Sequence, residues 1–138
     1  MDRTHRLQAA LDDVINRIQS GQPVDVVNLS QYAPTDDEVT PGIRASIDRL
    51  ENEFGVPVVV AAGNDTVLSP RNTLATDDTI VVMNIENGNI DPQSGQGNVL
   101  VDGSNDNGIQ NTTSAATANL SPLVGQWREW GYNPAEIR

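Results

Sequence analysis

The stretch Val56-Pro57-Val58-Val59-Val60-Ala61-Ala62 is almost continuously apolar and closes on Gly63-Asn64-Asp65. A strand with no polar face cannot show either side to water, so this run predicts a parallel strand covered on both faces. Its surroundings fit. Leu7, Ala10, Leu11, Val14, Ile15 and Ile18 fall on one face at helical spacing, with Thr4 or Asp2 able to cap the start and Gly21 the stop. Val24 to Leu29 is short and β-branched, and reads as a buried strand. Thr40-Pro41 reads as a cap followed by proline at the first helical position. Ile43, Ile47, Leu50 and Phe54 then form an inward stripe that Gly55 ends. Helix, strand, helix and strand with short joints predict an α/β fold, a parallel sheet with helices on both faces.

Beyond Asn64 the texture changes. Asp65 to Asp77 is polar and irregular, Thr79 to Ile85 predicts a third strand, and Asn87-Gly88 a turn. Asn98 to Val101 predicts a short fourth strand, followed by the Gly/Asn/Asp cluster from Asp102 to Gly108. A polar loop then ends at Thr113-Ser114, and an apolar run continues through Leu120, Leu123, Val124, Trp127 and Trp130. That pattern predicts a loop feeding a buried helix with a hydroxyl residue in its first turn. Helix N-termini present free N–H groups and partial positive charge, so a serine there sits beside donors for a developing oxyanion. Capping is the commoner use of Ser and Thr at such a place, and the residues of this stretch leave both readings open. At the end, Asn133-Pro134-Ala135-Glu136 is a helix start with an Asn cap, Pro first and Glu three after the cap.

Composition narrows the partners. With 138 residues the chain is one domain or part of one, large enough for a real core. Its net charge of −11, with 19 acidic residues against eight arginines and no lysine, repels phosphate backbones and anionic lipid, so neither nucleic acid nor membrane is expected as a partner. The absence of cysteine removes thiol catalysis and zinc-thiolate sites, and leaves the compartment undecided. Met1 to His5 contains no apolar leader segment and no run approaches a membrane span, so the chain reads as soluble.

Three segments taken together, Asp25-Val26-Val27-Asn28-Leu29-Ser30, Val58-Val59-Val60-Ala61-Ala62-Gly63-Asn64 and Thr113-Ser114-Ala115-Ala116, resemble the subtilisin-like serine proteases, the subtilases. They stand in the family's order and at plausible spacing. The resemblance covers nearly the whole chain, yet only the serine-bearing C-terminal half of a subtilase catalytic domain. It implies a subtilisin-like, truncated fold and one partial domain, 1–138, without the Asp- and His-bearing half. By that resemblance Ser114 matches the nucleophile and Asn64 the side-chain donor of the oxyanion hole. Asn28, Leu29, Ser30 and Gly63 match substrate-binding positions. Thr112 stands where the family has glycine before Thr-Ser, and Ala118 where it has proline after the serine.

The other parts of a triad have no counterpart in this reading. His5 is the single histidine and reads as an exposed terminal residue, with Arg3 in place of the glycine of the family's histidine motif. Asp25 belongs to a strand and Asp12-Asp13 to a solvated helix face. A serine hydroxyl without a base is a poor nucleophile at neutral pH, so the isolated chain is expected to be inactive. The alternative is a non-catalytic module on the same scaffold that holds a peptide or a complementing chain. No cofactor is implied. Asp102 to Gly108 alternates oxygen side chains in the manner of a calcium loop, but its glycine is one place late and Thr113 stands at the bidentate position; a plain turn is the simpler reading, with calcium as the alternative. The sequons at Asn28, Asn64, Asn111 and Asn119 are read as chance, two of them lying inside expected elements. Trp127 and Trp130, at helical spacing, are expected in the core, or else on a surface that another segment buries.

Overall fold

A computed structural model describes residues 3–30, 38–63, 72–86, 89–90, 97–103 and 113–137. The chain runs α1 (Arg3–Gln19), β1 (Val27–Leu29), α2 (Thr40–Asp48), a π-helical turn (Arg49–Glu53), β2 (Val58–Ala61), β3 (Ile80–Glu86), β4 (Asn89–Ile90), β5 (Val99–Asp102), α3 (Thr113–Glu129) and α4 (Pro134–Ile137). Strands β1, β2, β3 and β5 lie parallel, with Val27 beside Val58, Val59 beside Ile80 and Val82 beside Val99. Strand β4 pairs antiparallel with the end of β3, Ile85 beside Ile90. The Asn87-Gly88 corner itself lies outside the described residues.

Alternation along the strands builds two cores. Val58, Val60 and Ala62 face Leu7, Leu11 and Ile15 of α1 and Ile43 and Ile47 of α2. Val59, Ile80 and Val82 face Ala116, Leu120 and Val124 of α3. Side chains alternate across a strand, so the apolar run of β2 feeds both layers at once. The expected parallel α/β sheet with helices on both faces is the architecture found.

Local chemistry explains the ends. Gly21 closes α1 with φ +93°, and the Gly21 and Gln22 amides return to the Ile18 and Arg17 carbonyls at 3.0 and 2.9 Å. α4 starts as expected: Asn133 Oδ1 accepts the Glu136 amide at 2.8 Å, and Glu136 Oε1 accepts the Asn133 amide at 3.2 Å, a reciprocal capping box.

Three expectations need correction. Thr40 is not a cap: it is already helical and fully buried, Val39 occupies the cap position, and Pro41 falls one place later than expected. Burial among the α1–α2 contacts takes that hydroxyl residue into the helix. The β1 strand is shorter than Val24 to Leu29, because only Val27–Leu29 keeps register with β2, while Val24 and Val26 pack on opposite cores. Gly55 ends the second helix as expected, at φ +66° directly after the Phe54 cap, although its last turn is π-helical, with the Phe54 amide on the Arg49 carbonyl at 3.1 Å. Trp130 is 64 % exposed and Leu123 43 %. The buried face of α3 runs through Ala116, Leu120 and Val124, with Trp127 half-buried; Trp130 falls at the helix end, where Gly131 turns the chain at φ +98°.

Candidate functional site

The carboxyl ends of β1 and β2 and the amino end of α3 meet at one side of the sheet. Ligands of open parallel sheets bind at strand carboxyl ends, and helix N-termini there favour negative charge. After Ala61, the Ala62 amide donates to the Val82 carbonyl at 2.9 Å, which keeps β2 extended to the edge of the site. Gly63 then turns at φ +100°, a conformation that a side chain strains, and it is buried. Its amide donates to Thr113 Oγ1 at 3.2 Å in a buried bond that spans 50 residues of chain. Thr113 is the first residue of α3 and is fully buried. One hydroxyl therefore fixes where the helix begins relative to where β2 ends.

Below Thr113 the buried face of α3 continues in hydroxyls. Thr117 Oγ1 donates to the Thr113 carbonyl at 2.6 Å, and Ser121 Oγ to the Thr117 carbonyl at 2.8 Å. Each satisfies its polar group within the helix, so the face packs on the sheet without unpaired donors. Pro122, which has no amide to give, sits inside the helix on its exposed side, where water can reach the carbonyl that loses its donor.

Ser114 is the second residue of α3. Its backbone lies one residue past the Thr113–Gly63 bond, and its side chain lies outside the described residues, as does the whole of Asn64. Gly63 is the last described residue before Asn64. On β1, Asn28 is exposed, Leu29 buried and Ser30 half-buried, and Ser30 Oγ donates to Asn28 Oδ1 at 3.1 Å. Thus Gly63 and Thr113 are in direct contact, while Asn28 to Ser30 lie one strand away, with Leu29 beside Val60.

The remaining titratable candidates lie elsewhere. His5 Nε2 stands 3.9 Å from a Glu38 carboxylate oxygen on the surface beside α1 and α2. Asp25 lies 4.0 Å from Arg128, and its proximity raises the Glu129 carboxyl above the usual range. Asp12 accepts the Gln8 amide at 2.9 Å, and Asp13 pairs with Arg17 at 3.0 Å, both on the exposed side of α1. Of the calcium-like stretch only Asp102 and Gly103 are described; the Gly103 amide donates to the buried Asn84 Oδ1 at 2.9 Å. Residues 104–112 lie outside the described residues, and with them Asn111. Among the described residues no three acidic, His or Cys side chains converge as a metal site, and no helix is long and apolar enough to cross a membrane.

Sequence reasoning did not anticipate three polar side chains around the sheet, Asn72 at the carboxyl end of β2 and Asn98 and Glu51 near the amino end of β3. Asn72 Nδ2 donates to the Ala61 carbonyl at 2.9 Å, and its Oδ1 accepts the Leu74 amide at 3.1 Å. Asn98 acts as a strand residue through its side chain, accepting from the Val81 amide at 2.9 Å and donating to the Thr79 carbonyl at 3.2 Å. Glu51 is buried beneath the segment that follows Asn72. Their placement in polar stretches gave no periodicity to read.

The sequence matches the profile of the subtilase family (peptidase S8) over residues 3–138. No curated protein matches it. Solved structures share the fold: the prenylagaramide maturation protease PagA at 19 % identity and TM-score 0.68, covering 98 % of this chain and 55 % of that one. A psychrophilic protease, S41, follows at 17 % and 0.64, with 97 % and 52 % covered. MycP1 with its N-terminal propeptide removed stands at 21 % and 0.63, with 98 % and 58 % covered. The chain spans a little over half the length of these proteases.

Proposed function

The chain belongs to the subtilase family, and from that premise we propose that it is the serine-bearing part of a subtilisin-like serine peptidase. Ser114 is the nucleophile and Asn64 the oxyanion donor in this reading, with Asn28, Leu29, Ser30 and Gly63 beside an extended substrate peptide. The observation that carries it is the buried Gly63 amide to Thr113 Oγ1 bond. It ties the residue before Asn64 to the residue before Ser114. A nucleophile and an oxyanion donor must be held in fixed register, and a buried bond between their immediate neighbours supports that constraint.

The second half of the proposal is dependence on a complement. A working Ser needs a base oriented by an acid. His5 stands beside Glu38 at the surface, and Asp25 beside Arg128 at the far end of α3 from Thr113. In this reading the catalytic base and acid are supplied by a complementing segment, and the 138 residues alone do not turn over peptide. Hydrolysis of a chromogenic peptide by the chain, with and without an added subtilase segment carrying the Asp and His motifs, tests this. Activity only in the mixture, abolished by Ser114→Ala, supports it. Turnover by the chain alone refutes the dependence, and turnover by Ser114→Ala in the mixture refutes the nucleophile.

A non-catalytic reading has one observation in its favour. β1 is the outermost strand on its side of the sheet, paired among the described residues only with β2, so its other edge can accept a further strand. Peptide or partner binding retained in Ser114→Ala, with no hydrolysis in any mixture, would select this reading.

A further inference from the structure

The segment Asn72–Thr79, which leads into β3, packs against the π-turn that follows α2, and a buried carboxyl sits between them. Glu51 is 2 % exposed. Its Oε1 accepts the Thr76 hydroxyl at 2.5 Å, and Thr76 Oγ1 lies 3.0 Å from Thr79 Oγ1. Its Oε2 is buried with no hydrogen-bond partner. It lies in the π-turn directly after the buried Leu50.

We propose that Glu51 is a proton-dependent latch that holds the Asn72–Thr79 segment closed on the π-turn when neutral and releases it when ionised. Hydroxyls bind it, not cations. The Thr76 and Thr79 hydroxyls favour the charged form, while Asp78 on the segment itself and Asp48 on α2 are acids and oppose its ionisation in the same direction as burial. The arginines around it serve carbonyls: Arg44 Nη1 the Thr73 carbonyl at 2.9 Å, and Arg128 Nε, from α3, the Gly55 carbonyl at 3.2 Å. Glu136 on α4 is occupied with the Asn133 amide. Burial, the largest influence, pushes the carboxyl up to about 7. An ionised Glu51 would leave Oε2 charged and unpaired, which a buried site tolerates poorly. A cavity of about 220 Å³ is lined by Glu51, Asn52, Gly55, Asn133 and Pro134, on a side of the carboxyl that the Asn72–Thr79 segment does not line.

The consequence reaches the candidate site through Asn72. That residue joins the segment to the Ala61 carbonyl, two residues before Gly63. Release of the segment therefore loosens the end of β2. This inference holds whether or not Ser114 is a nucleophile, because it concerns opening and not hydrolysis.

Native-state hydrogen exchange across pH 6 to 8.5, corrected for intrinsic rates, tests it on the unmodified chain. The Leu74, Ala75, Thr76 and Thr79 amides are expected to lose protection on the order of tenfold over that range, while amides in α1 do not. Glu51→Gln, which keeps the shape without the charge, is expected to abolish the change. Equal protection at both ends of the range, or the same pH dependence in Glu51→Gln, overturns the proposal. Should that variant fail to fold, the carbon-13 carboxyl titration of Glu51 in the unmodified chain decides: an inflection near 7 supports the latch, and one in the ordinary carboxylate range overturns it.

Discussion

Thr113 carries more of the candidate site than any other described side chain. Its hydroxyl accepts the buried Gly63 amide, and no side chain of that size without an oxygen can replace it. Thr113→Val is expected to destabilise the fold by about 1–3 kcal/mol in urea unfolding, because it leaves a buried N–H unpaired, whereas Thr113→Ser retains most of the stability. Glu51 gives the second prediction at this scale. Its folded pKa is raised above the unfolded value, so the folded state binds the proton more tightly. The stability it contributes is complete below about pH 4.5 and is lost as pH rises through about 7, up to roughly 3 kcal/mol as an upper bound. Glu51→Gln should flatten that loss in melts between pH 5 and 8.5; a wild-type Tm that rises over the same range would contradict it.

At the scale of elements, hydrophobic period was the readable signal. The α1 stripe of Leu7, Leu11 and Ile15 is the buried face, and the apolar run of β2 is buried on both sides. Where two short-range rules agreed, as at Gly21 or at Asn133 with Glu136, the sequence was legible to the residue. It failed where tertiary packing overrode a local preference. Thr40 looks like a cap and is buried inside α2. Trp130 continues the α3 pattern in sequence, but the helix ends there and Gly131 turns the chain away. For the site, the three segments carrying the resemblance were legible, while the bonds that join them were not, since no local pattern pairs Gly63 with Thr113 or Asn72 with Ala61. Packing of α1 on α2 and the sheet makes Leu11, 1 % exposed, a test of the first core. Leu11→Ala is expected to cost about 2–5 kcal/mol in denaturant unfolding.

For the whole molecule, charge and family set the expectations. A net charge of −11 without lysine makes self-repulsion a standing cost of the compact state. Salt screens it, and the Tm is expected to rise between about 0.05 and 1 M sodium chloride; a Tm that falls over that range would mean that attractive surface pairs such as Arg17–Asp13 and Arg49–Glu53 outweigh the repulsion. The chain matches the subtilase family over residues 3–138 while spanning a little over half of the proteases whose fold it shares. The proposal that Ser114 is held in register with Asn64 and is completed by a base and an acid from another segment rests on those two facts and the Gly63–Thr113 bond. The most direct measurement is site-mapped fluorophosphonate labelling of Ser114, in the chain alone and after addition of a segment bearing the Asp and His motifs. Labelling of Ser114 only in the mixture, and its loss in Ser114→Ala, is the predicted result. Ser114 that stays unlabelled in the mixture, or that labels equally in the chain alone, would contradict the account.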